Sequence, residues 1–270
     1  VTKLLTLANY EDPKATGAGS IIQLANAAGY ETFWLSNQRP LGPYESLITK
    51  LSFSSDHTKF ITTADAGNSK TLDENLLTDL DAVLNQSQSN KIFILLHLIG
   101  THHNYEDRYP AKFNIFKEDV NSNFKSSSSN EKINHYDNAV LYNDFVLNAV
   151  IKRVKSEDAN SFMLFLSDHG EELYTDLNIA GHNEDTPTKA MYEIPFILWQ
   201  SEKYKEYRTI DTDVNKPYMS DDLFHSLADL MGIQCNQVDY QRSIFSDGFK
   251  ERARIILDSI DYDKSFKHKR

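Results

Sequence analysis

An apolar run of five residues, Phe162–Leu166, ends directly at Ser167-Asp168-His169-Gly170. Short uninterrupted apolar runs are typical of strands that are buried on both faces. A carboxylate and an imidazole at the end of such a strand lie where open α/β sheets bind ligands, beyond the carboxyl ends of the strands. Gly170 permits a sharp turn or a close approach of the backbone. This stretch therefore predicts a functional site at one edge of a sheet.

The same residues have a simpler interpretation, in which Asp168 caps a following helix and His169 packs beside it. We expect Glu171 and Glu172 to occupy the first turn of that helix, where the helix dipole stabilises negative charge. The local motif alone does not decide between the two interpretations.

A second apolar run, Ile92–Leu98, is followed at once by histidine-bearing residues. If the two strands are near neighbours, the side chains after both would converge at one edge of the sheet. Neutral imidazoles together with a carboxylate favour a transition metal, and zinc is the usual one. His97 fits either a core position or a ligand, and we favour His102 over His103. The candidates are His97, His102 and His103 after one strand, and Asp168, His169 and His182 after the other.

Helical patterns alternate with apolar strands along the chain, which predicts an α/β fold with a mostly parallel sheet covered by helices on both faces. No internal repeat or linker divides the sequence, so we expect a single domain over residues 1–270. The predicted helices are Val1–Asn9, Ser20–Ala28, Leu72–Leu84, Ile133–Lys155 and Ser220–Met231. The predicted strands are Tyr30–Leu35, Lys59–Thr63, Ile92–Leu98, Phe162–Leu166, Phe196–Gln200 and Arg254–Leu257, and Phe113–Asn130 is expected to be a mobile excursion.

The net charge of -11 argues against nucleic acid as a partner, because phosphate backbones are bound by clustered Lys and Arg. No apolar run approaches the roughly 20 residues that cross a bilayer. The sequence begins at Val1 and not at an initiator Met, and no basic segment of a signal peptide follows. We therefore expect an excised part of a longer protein. Cys235 is the single cysteine, which excludes an internal disulfide.

The ordered set of motifs resembles the phosphoethanolamine transferases, in the sulfatase branch of the alkaline phosphatase superfamily. The resemblance covers nearly the whole chain and is far more specific than any one motif. The matching segments, in chain order, are Trp34–Gln38, His97–His102, Tyr136–Tyr142, Ser167–Glu171, Gly181-His182, Glu193–Trp199 and Asp222–Leu227.

The resemblance implies an alkaline phosphatase/sulfatase-like fold and a zinc ion bound by Asp168 and His169, together with an upstream Glu and a nucleophilic Thr. It implies that His102 and His182 line the adjoining phosphate or second-metal site. Asn37 and His97 are expected to contact the substrate.

The resemblance also implies the reaction. Phosphatidylethanolamine would donate phosphoethanolamine, which a threonine would hold covalently before transfer to lipid A or another glycan. The parent protein would be anchored in the bacterial inner membrane by helices that precede this sequence, with the catalytic part in the periplasm. We expect a monomer.

The sequence departs from the family pattern at its beginning. The family threonine stands a few residues before the segment that matches Val1–Asn9, and its glutamate ligand lies further upstream. Thr2 and Thr6 are the nearby hydroxyls, and neither matches well. We therefore expect the 270 residues to hold half of a metal site and to have little or no transfer activity.

Two alternatives stay open. A sulfatase or a phosphoglycerol transferase could use the same scaffold, although Cys235 stands in Cys-Asn-Gln-Val and not in the Cys/Ser-x-Pro-x-Arg context of a sulfatase nucleophile. A non-catalytic remnant domain is the other alternative. The presence of Asp168, His169, His102 and His182 together argues against it.

Overall fold

The computed structural model of the chain describes residues 2–40, 46–62, 70–120, 122–211 and 213–266. The helices are α1 (Thr2–Leu5), α2 (Ile21–Ala27), α3 (Ser46–Ser52), α4 (Leu76–Gln86), α5 (Ser127–Ser156), α6 (Glu202–Tyr207), α7 (Leu223–Leu230) and α8 (Tyr262–Phe266). The strands are β1 (Glu31–Ser36), β2 (His57–Phe60), β3 (Ile92–His97), β4 (Phe162–Leu166), β5 (Glu172–Leu173), β6 (Ala180–Gly181), β7 (Phe196–Gln200), β8 (Ile255–Ile256) and β9 (Ile260–Asp261). Within these ranges, no helix is both long and apolar enough to cross a lipid bilayer.

Three strands form a parallel sheet in the order β2-β1-β3, with Ser36 opposite His97 at the carboxyl end. The predicted parallel arrangement is confirmed for these strands. β4 pairs instead with β7, and this pair is antiparallel, with Leu166 opposite Phe196. The architecture is therefore mixed in strand direction, and the chain reverses between β4 and β7.

Helices cover both faces of the strands, as predicted. On one face, Trp34 of β1, Leu95 of β3 and Leu164 of β4 pack with apolar residues of α2 and α7. On the other face, Ile94 of β3 and Met163 of β4 share a cluster with residues of α4 and α5. Residues of β3 and β4 therefore contribute to the same two clusters, one on each face.

The prediction that β3 and β4 are fully buried was wrong, because every residue of both strands is only partly buried. Each strand ends the order of its own sheet, since among the described strands β3 pairs with β1 alone and β4 with β7 alone. One edge of each strand is therefore open. Apolar composition predicted burial, but burial requires a neighbour on both edges as well as on both faces.

Several predicted boundaries also changed. The first helix stops at Leu5, because Thr6 leaves the helix and forms a β-bridge with Ser20. Ser20 then caps α2 through a capping box with Gln23. The strand predicted at Lys59–Thr63 is β2, His57–Phe60, and Thr63 lies outside the described residues.

The long helix α5 begins six residues earlier than predicted, within the segment expected to be mobile. Its buried face runs through Asn138, Tyr142 and Val146. In the sequence, Val140 and Phe145 lie near one apolar stripe of this helix, a pattern that predicts a position facing the core, but both side chains are exposed. Asn138 explains part of the difference, because its side chain accepts hydrogen bonds from the backbone N–H groups of Ile115 and Phe116 and so binds the preceding segment to the helix.

Candidate active site

The loop after β3 is fixed by one buried carboxylate. Asp73, which precedes α4, accepts hydrogen bonds from the backbone N–H of Ile99 (2.9 Å) and of Gly100 (2.8 Å). Gly100 has a φ of 62°, a left-handed conformation that glycine adopts without strain. Asn37 donates a third hydrogen bond to Asp73 (2.8 Å). These contacts set the path of the backbone just before His102.

Asn37 and His97 both lie beneath this loop. Asn37 is fully buried, and its amide nitrogen bonds the carbonyl oxygen of Thr71 as well as Asp73. His97 faces Trp34 edge-on, and its Nδ1 lies 3.1 Å from the hydroxyl oxygen of Ser36. Burial lowers the pKa of His97 to about 4, and the nearby charge of Asp168 partly opposes that change. The imidazole is therefore neutral and lies close to the end of β4.

The segment after β4 forms a hairpin, and no helix follows the Asp-His-Gly motif. Expecting Glu171 and Glu172 in a first helical turn was therefore wrong, and so was reading Asp168 as a helix cap. Glu172 belongs to β5 and pairs with Gly181 of β6. Because Glu172 is opposite Gly181, the residues just outside this pair, Glu171 and His182, face each other.

The turn of this hairpin is stabilised by hydrogen bonds to a buried carboxylate. Glu172 is fully buried, and its Oε1 accepts hydrogen bonds from the backbone N–H (2.5 Å) and the hydroxyl (2.6 Å) of Thr175. Burial alone would raise the pKa of Glu172, but these hydrogen bonds outweigh it and lower the pKa. The charged carboxylate thus fixes the loop that returns the chain to His182.

Gly170 is required for close packing and not for an unusual φ. Its N–H donates to the carbonyl oxygen of Met191 across 2.9 Å. A Cβ at this position would lie 2.0 Å from the carbonyl oxygen of Ala190 and 2.8 Å from that of Glu193. The turn before β7 therefore presses directly on the backbone that carries Asp168 and His169.

The imidazole of His169 is oriented for metal binding. Its Nδ1 lies 3.0 Å from the carbonyl oxygen of Gly170, which can only accept a hydrogen bond, so the proton is on Nδ1. Nε2 then carries the free lone pair, and Oδ1 of Asp168 lies 3.8 Å from it. Histidine ligands typically donate their second N–H to a carbonyl or carboxylate group in this way. The pair fits two of the four ligands of a zinc ion.

His182 lies on the other side of His169. The two rings have centroids 3.6 Å apart, and Nδ1 of His182 is 3.4 Å from Oε1 of Glu171. The same Oε1 is 3.9 Å from Nδ1 of His169. The hydrogen bond from His182 to Glu171 raises the pKa of the His182 imidazole.

His102 completes the group from the loop after β3. Burial lowers its pKa to about 4, with smaller contributions from His103 and Arg108, while the charge of Glu171 acts in the opposite direction. Its Nδ1 is buried without a hydrogen-bond partner in the described part of the chain. His103, by contrast, is exposed, and its ring is tilted by 46° against that of His102, with the ring centroids 4.2 Å apart.

The structure therefore brings His102, Asp168, His169 and His182 together, while Asn37 and His103 lie at the margins. Sequence reasoning missed Glu171, whose side chain is only 7% exposed. One donor atom each from His169, Glu171 and His182 lies within 4.8 Å of the others, so these three residues could also hold a metal ion. No local sequence signal identifies Glu171, because its position opposite His182 depends on the hairpin register.

A cavity of about 650 Å³ lies beside Asp168. Its lining includes Lys3 of α1, Tyr10, Glu184 and Asp221. The amino-terminal helix thus borders the same space as the proposed zinc ligand.

Comparison with known proteins identifies the family of the chain. The model of the sulfatase family matches residues 3–233. The chain is 36% identical over 274 residues to the phosphoethanolamine transferase EptC of Escherichia coli K12, covering 96% of this chain and 47% of that protein. It is 38% identical over 256 residues to the phosphoethanolamine transferase CptA of Salmonella typhimurium, covering 90% of this chain and 44% of that protein. The chain therefore spans about half the length of these relatives.

Among solved structures, the C-terminal periplasmic domain of Escherichia coli EptC in complex with zinc superposes with a TM-score of 0.88 at 34% identity. The match covers 97% of this chain and 75% of that one. The periplasmic domain of Campylobacter jejuni EptC, at 23% identity and a TM-score of 0.71, supports the fold alone. The chain belongs to the sulfatase family, and the predicted alkaline phosphatase/sulfatase-like fold is confirmed.

Proposed function

We propose that the protein of which this chain is a part catalyses zinc-dependent transfer of phosphoethanolamine from phosphatidylethanolamine to a cell-surface acceptor such as lipid A or another glycan. The observation that carries the proposal is the Asp168–His169 pair, in which Nε2 of His169 is free and faces Asp168 across 3.8 Å. The relatives named phosphoethanolamine transferases support the choice of reaction.

In this proposal Asp168 and His169 hold the zinc ion, and zinc bound there would polarise a phosphoryl oxygen as a Lewis acid. The hydrogen bond to Glu171 raises the pKa of His182, and in its protonated form His182 would donate its second N–H, on Nε2, to an anionic phosphoryl oxygen. His102 is neutral and offers the same phosphoryl group a donor or an acceptor. Asn37 was expected to contact the substrate, but it is fully buried and hydrogen-bonded to Asp73, so its proposed role is to support the backbone below these groups. His97 is still proposed to contact the substrate.

The nucleophile is proposed to be a threonine outside the 270 residues, with a glutamate as a further zinc ligand. Thr6 does not fit this role, because it is fully buried and its hydroxyl donates to the carbonyl oxygen of Thr2 across 2.9 Å. Lys3 lines the cavity beside Asp168, so the beginning of α1 lies next to the proposed metal site. A phospho-threonine would divide one difficult displacement into two easier ones.

The remaining parts of the proposal concern organisation. The 270 residues would form a single catalytic domain and act as a monomer on the periplasmic side of the inner membrane. The zinc-bound relative from Escherichia coli is a C-terminal periplasmic domain, which supports this location. The net charge of -11 disfavours nucleic acid as a partner.

Zinc titration of the chain tests the metal site. We expect the unaltered chain to bind zinc and His169→Ala to abolish binding, because the variant removes one of two described ligands. His103→Ala is the matched control, since this neighbouring histidine is exposed and should leave the stoichiometry unchanged. Unchanged stoichiometry in both His169→Ala and His182→Ala would favour a non-catalytic remnant domain.

Mass spectrometry of the whole protein after incubation with phosphatidylethanolamine tests the reaction. We expect a phosphoethanolamine adduct on a threonine that lies outside residues 1–270. Robust release of phosphoethanolamine by the 270-residue chain alone would contradict the assignment of the nucleophile.

A further inference from the structure

The carboxylate of Glu171 is held at both of its oxygen atoms. Oε1 faces Nδ1 of His182 at 3.4 Å, and Oε2 accepts a hydrogen bond from the hydroxyl of Tyr105. The two contacts come from different parts of the fold, since Tyr105 follows β3 whereas His182 follows β6. Glu171 therefore joins the two loops that form the site.

The hydroxyl of Tyr105 sits where water has little access. Tyr105 is 2% exposed, and the Glu171 side chain is 7% exposed. The ring of Tyr105 is also fixed on one side, because Tyr136 packs edge-on against it with the ring centroids 5.2 Å apart. Since water is largely excluded, removal of the hydroxyl leaves Oε2 without an equivalent donor.

The contact with Glu171 sets the protonation pattern of the His182 ring. An ionised carboxylate only accepts hydrogen bonds, so Nδ1 of His182 must carry the proton that faces Oε1. Nε2 of the neutral ring is then left with its lone pair. Which nitrogen bears the proton decides what the imidazole offers to a ligand.

We propose that Tyr105 is a positioning residue, whose hydroxyl holds Glu171 in the orientation that keeps His182 in its Nδ1–H form. The inference rests on the proposed function only for the use that is made of His182. Through these two contacts, the loop after β3, which carries Tyr105, is linked to the hairpin after β4, which carries Glu171 and His182. The hydroxyl of Tyr105 bonds Glu171, which is neither of the proposed zinc ligands Asp168 and His169, so Tyr105 acts through Glu171.

The test is a measurement of the His182 tautomer by long-range ¹H–¹⁵N correlation NMR on the metal-free chain, at an alkaline pH at which imidazoles are neutral. We expect the Nδ1–H form to dominate in the unaltered chain. In Tyr105→Phe the ratio of the Nδ1–H to the Nε2–H form should fall about threefold to tenfold, the range that corresponds to one net hydrogen bond. Tyr136→Phe is the matched control, because the hydroxyl of Tyr136 bonds Thr101 instead of Glu171.

Two results would overturn the proposal. One is a dominant Nε2–H form in the unaltered chain, a result that does not depend on whether any variant folds. The other is an unchanged ratio in Tyr105→Phe, or an equal fall in Tyr136→Phe, with urea midpoints showing that both variants are folded. Absence of zinc binding or of transfer activity would leave these spectra unaffected, so failure of the proposed function can be told apart from failure of this inference.

Discussion

The carboxylate of Asp73 accepts a hydrogen bond from the backbone N–H of Gly100 across 2.8 Å, although the two residues are 27 positions apart in the sequence. Asp73 also bonds Ile99 and Asn37, so one side chain joins the end of β1 to the loop that carries His102. The position of His102 therefore depends on a residue that belongs to neither sheet.

Asp73→Asn should destabilise the chain by about 2 kcal/mol, because an amide offers one acceptor oxygen and leaves a buried backbone donor unpaired. Urea unfolding measures the loss, and hydrogen exchange should accelerate at the amides of Ile99 and Gly100. Asp81→Asn is the control on α4, since Asp81 forms a partly exposed ion pair with Arg153 at 2.7 Å and should cost less than about 1 kcal/mol. Equal losses in the two variants would contradict the role given to Asp73.

Gly170→Ala should lower the free energy of unfolding by about 1–3 kcal/mol and displace Asp168 and His169. The reason is that the added Cβ would lie 2.0 Å from the carbonyl oxygen of Ala190. Thermal unfolding and zinc affinity report the two effects. Gly17→Ala is the comparison, since a Cβ there meets no atom within 4 Å and should change stability by well under about 1 kcal/mol. Normal zinc affinity in Gly170→Ala would show that the turn before β7 does not set the site.

Thr175→Val should loosen the hairpin that returns His182, because the variant removes the 2.6 Å hydrogen bond to the buried Glu172 carboxylate. We expect a loss of about 1.5–3 kcal/mol, the usual range for a hydrogen bond to a charged group. Hydrogen exchange at Thr175 and Asp176 should speed up as well. Thr186→Val, at an exposed position further along, should leave both measurements unchanged.

Acid should destabilise the chain in part through His225 of α7. Burial lowers the pKa of His225 from 6.5 to about 4, and its Nδ1 accepts a hydrogen bond from the backbone N–H of Asp239 at 3.2 Å. Between about pH 6.5 and pH 4 the unfolded chain binds this proton and the folded chain does not. The contribution of His225 to the free energy of unfolding is therefore fully present above about pH 6.5 and is lost as the pH falls towards about 4. The loss from this residue is at most about 3 kcal/mol.

Urea unfolding at several pH values measures that slope. His225→Gln should flatten it, because glutamine does not bind the proton, whereas His103→Gln at an exposed position should leave the slope unchanged. A slope in His225→Gln as steep as that of the unaltered chain would assign the acid sensitivity to other groups.

Much of the fold could be predicted because it depends on local pattern. The apolar runs gave β3, β4 and β7, and Ser20 gave the beginning of α2. The pattern did not give strand direction or the end of α1, since antiparallel pairing of β4 with β7 and the Thr6–Ser20 bridge are made between distant residues. It also placed Val140 and Phe145 in the core, because periodicity shows that a face is apolar without showing what covers it.

For the site, the sequence by itself determined which residue types could bind a metal and where on the strands they stand, as Asp168 and His169 show. Only the tertiary structure decided which other residues these two side chains lie beside. Glu171 contacts His182 because of the register of the β5–β6 hairpin, and Tyr105 contacts Glu171 because β3 and β4 share their apolar clusters. Hydrogen bonds of that kind depend on distances across the fold, which no spacing along the chain records.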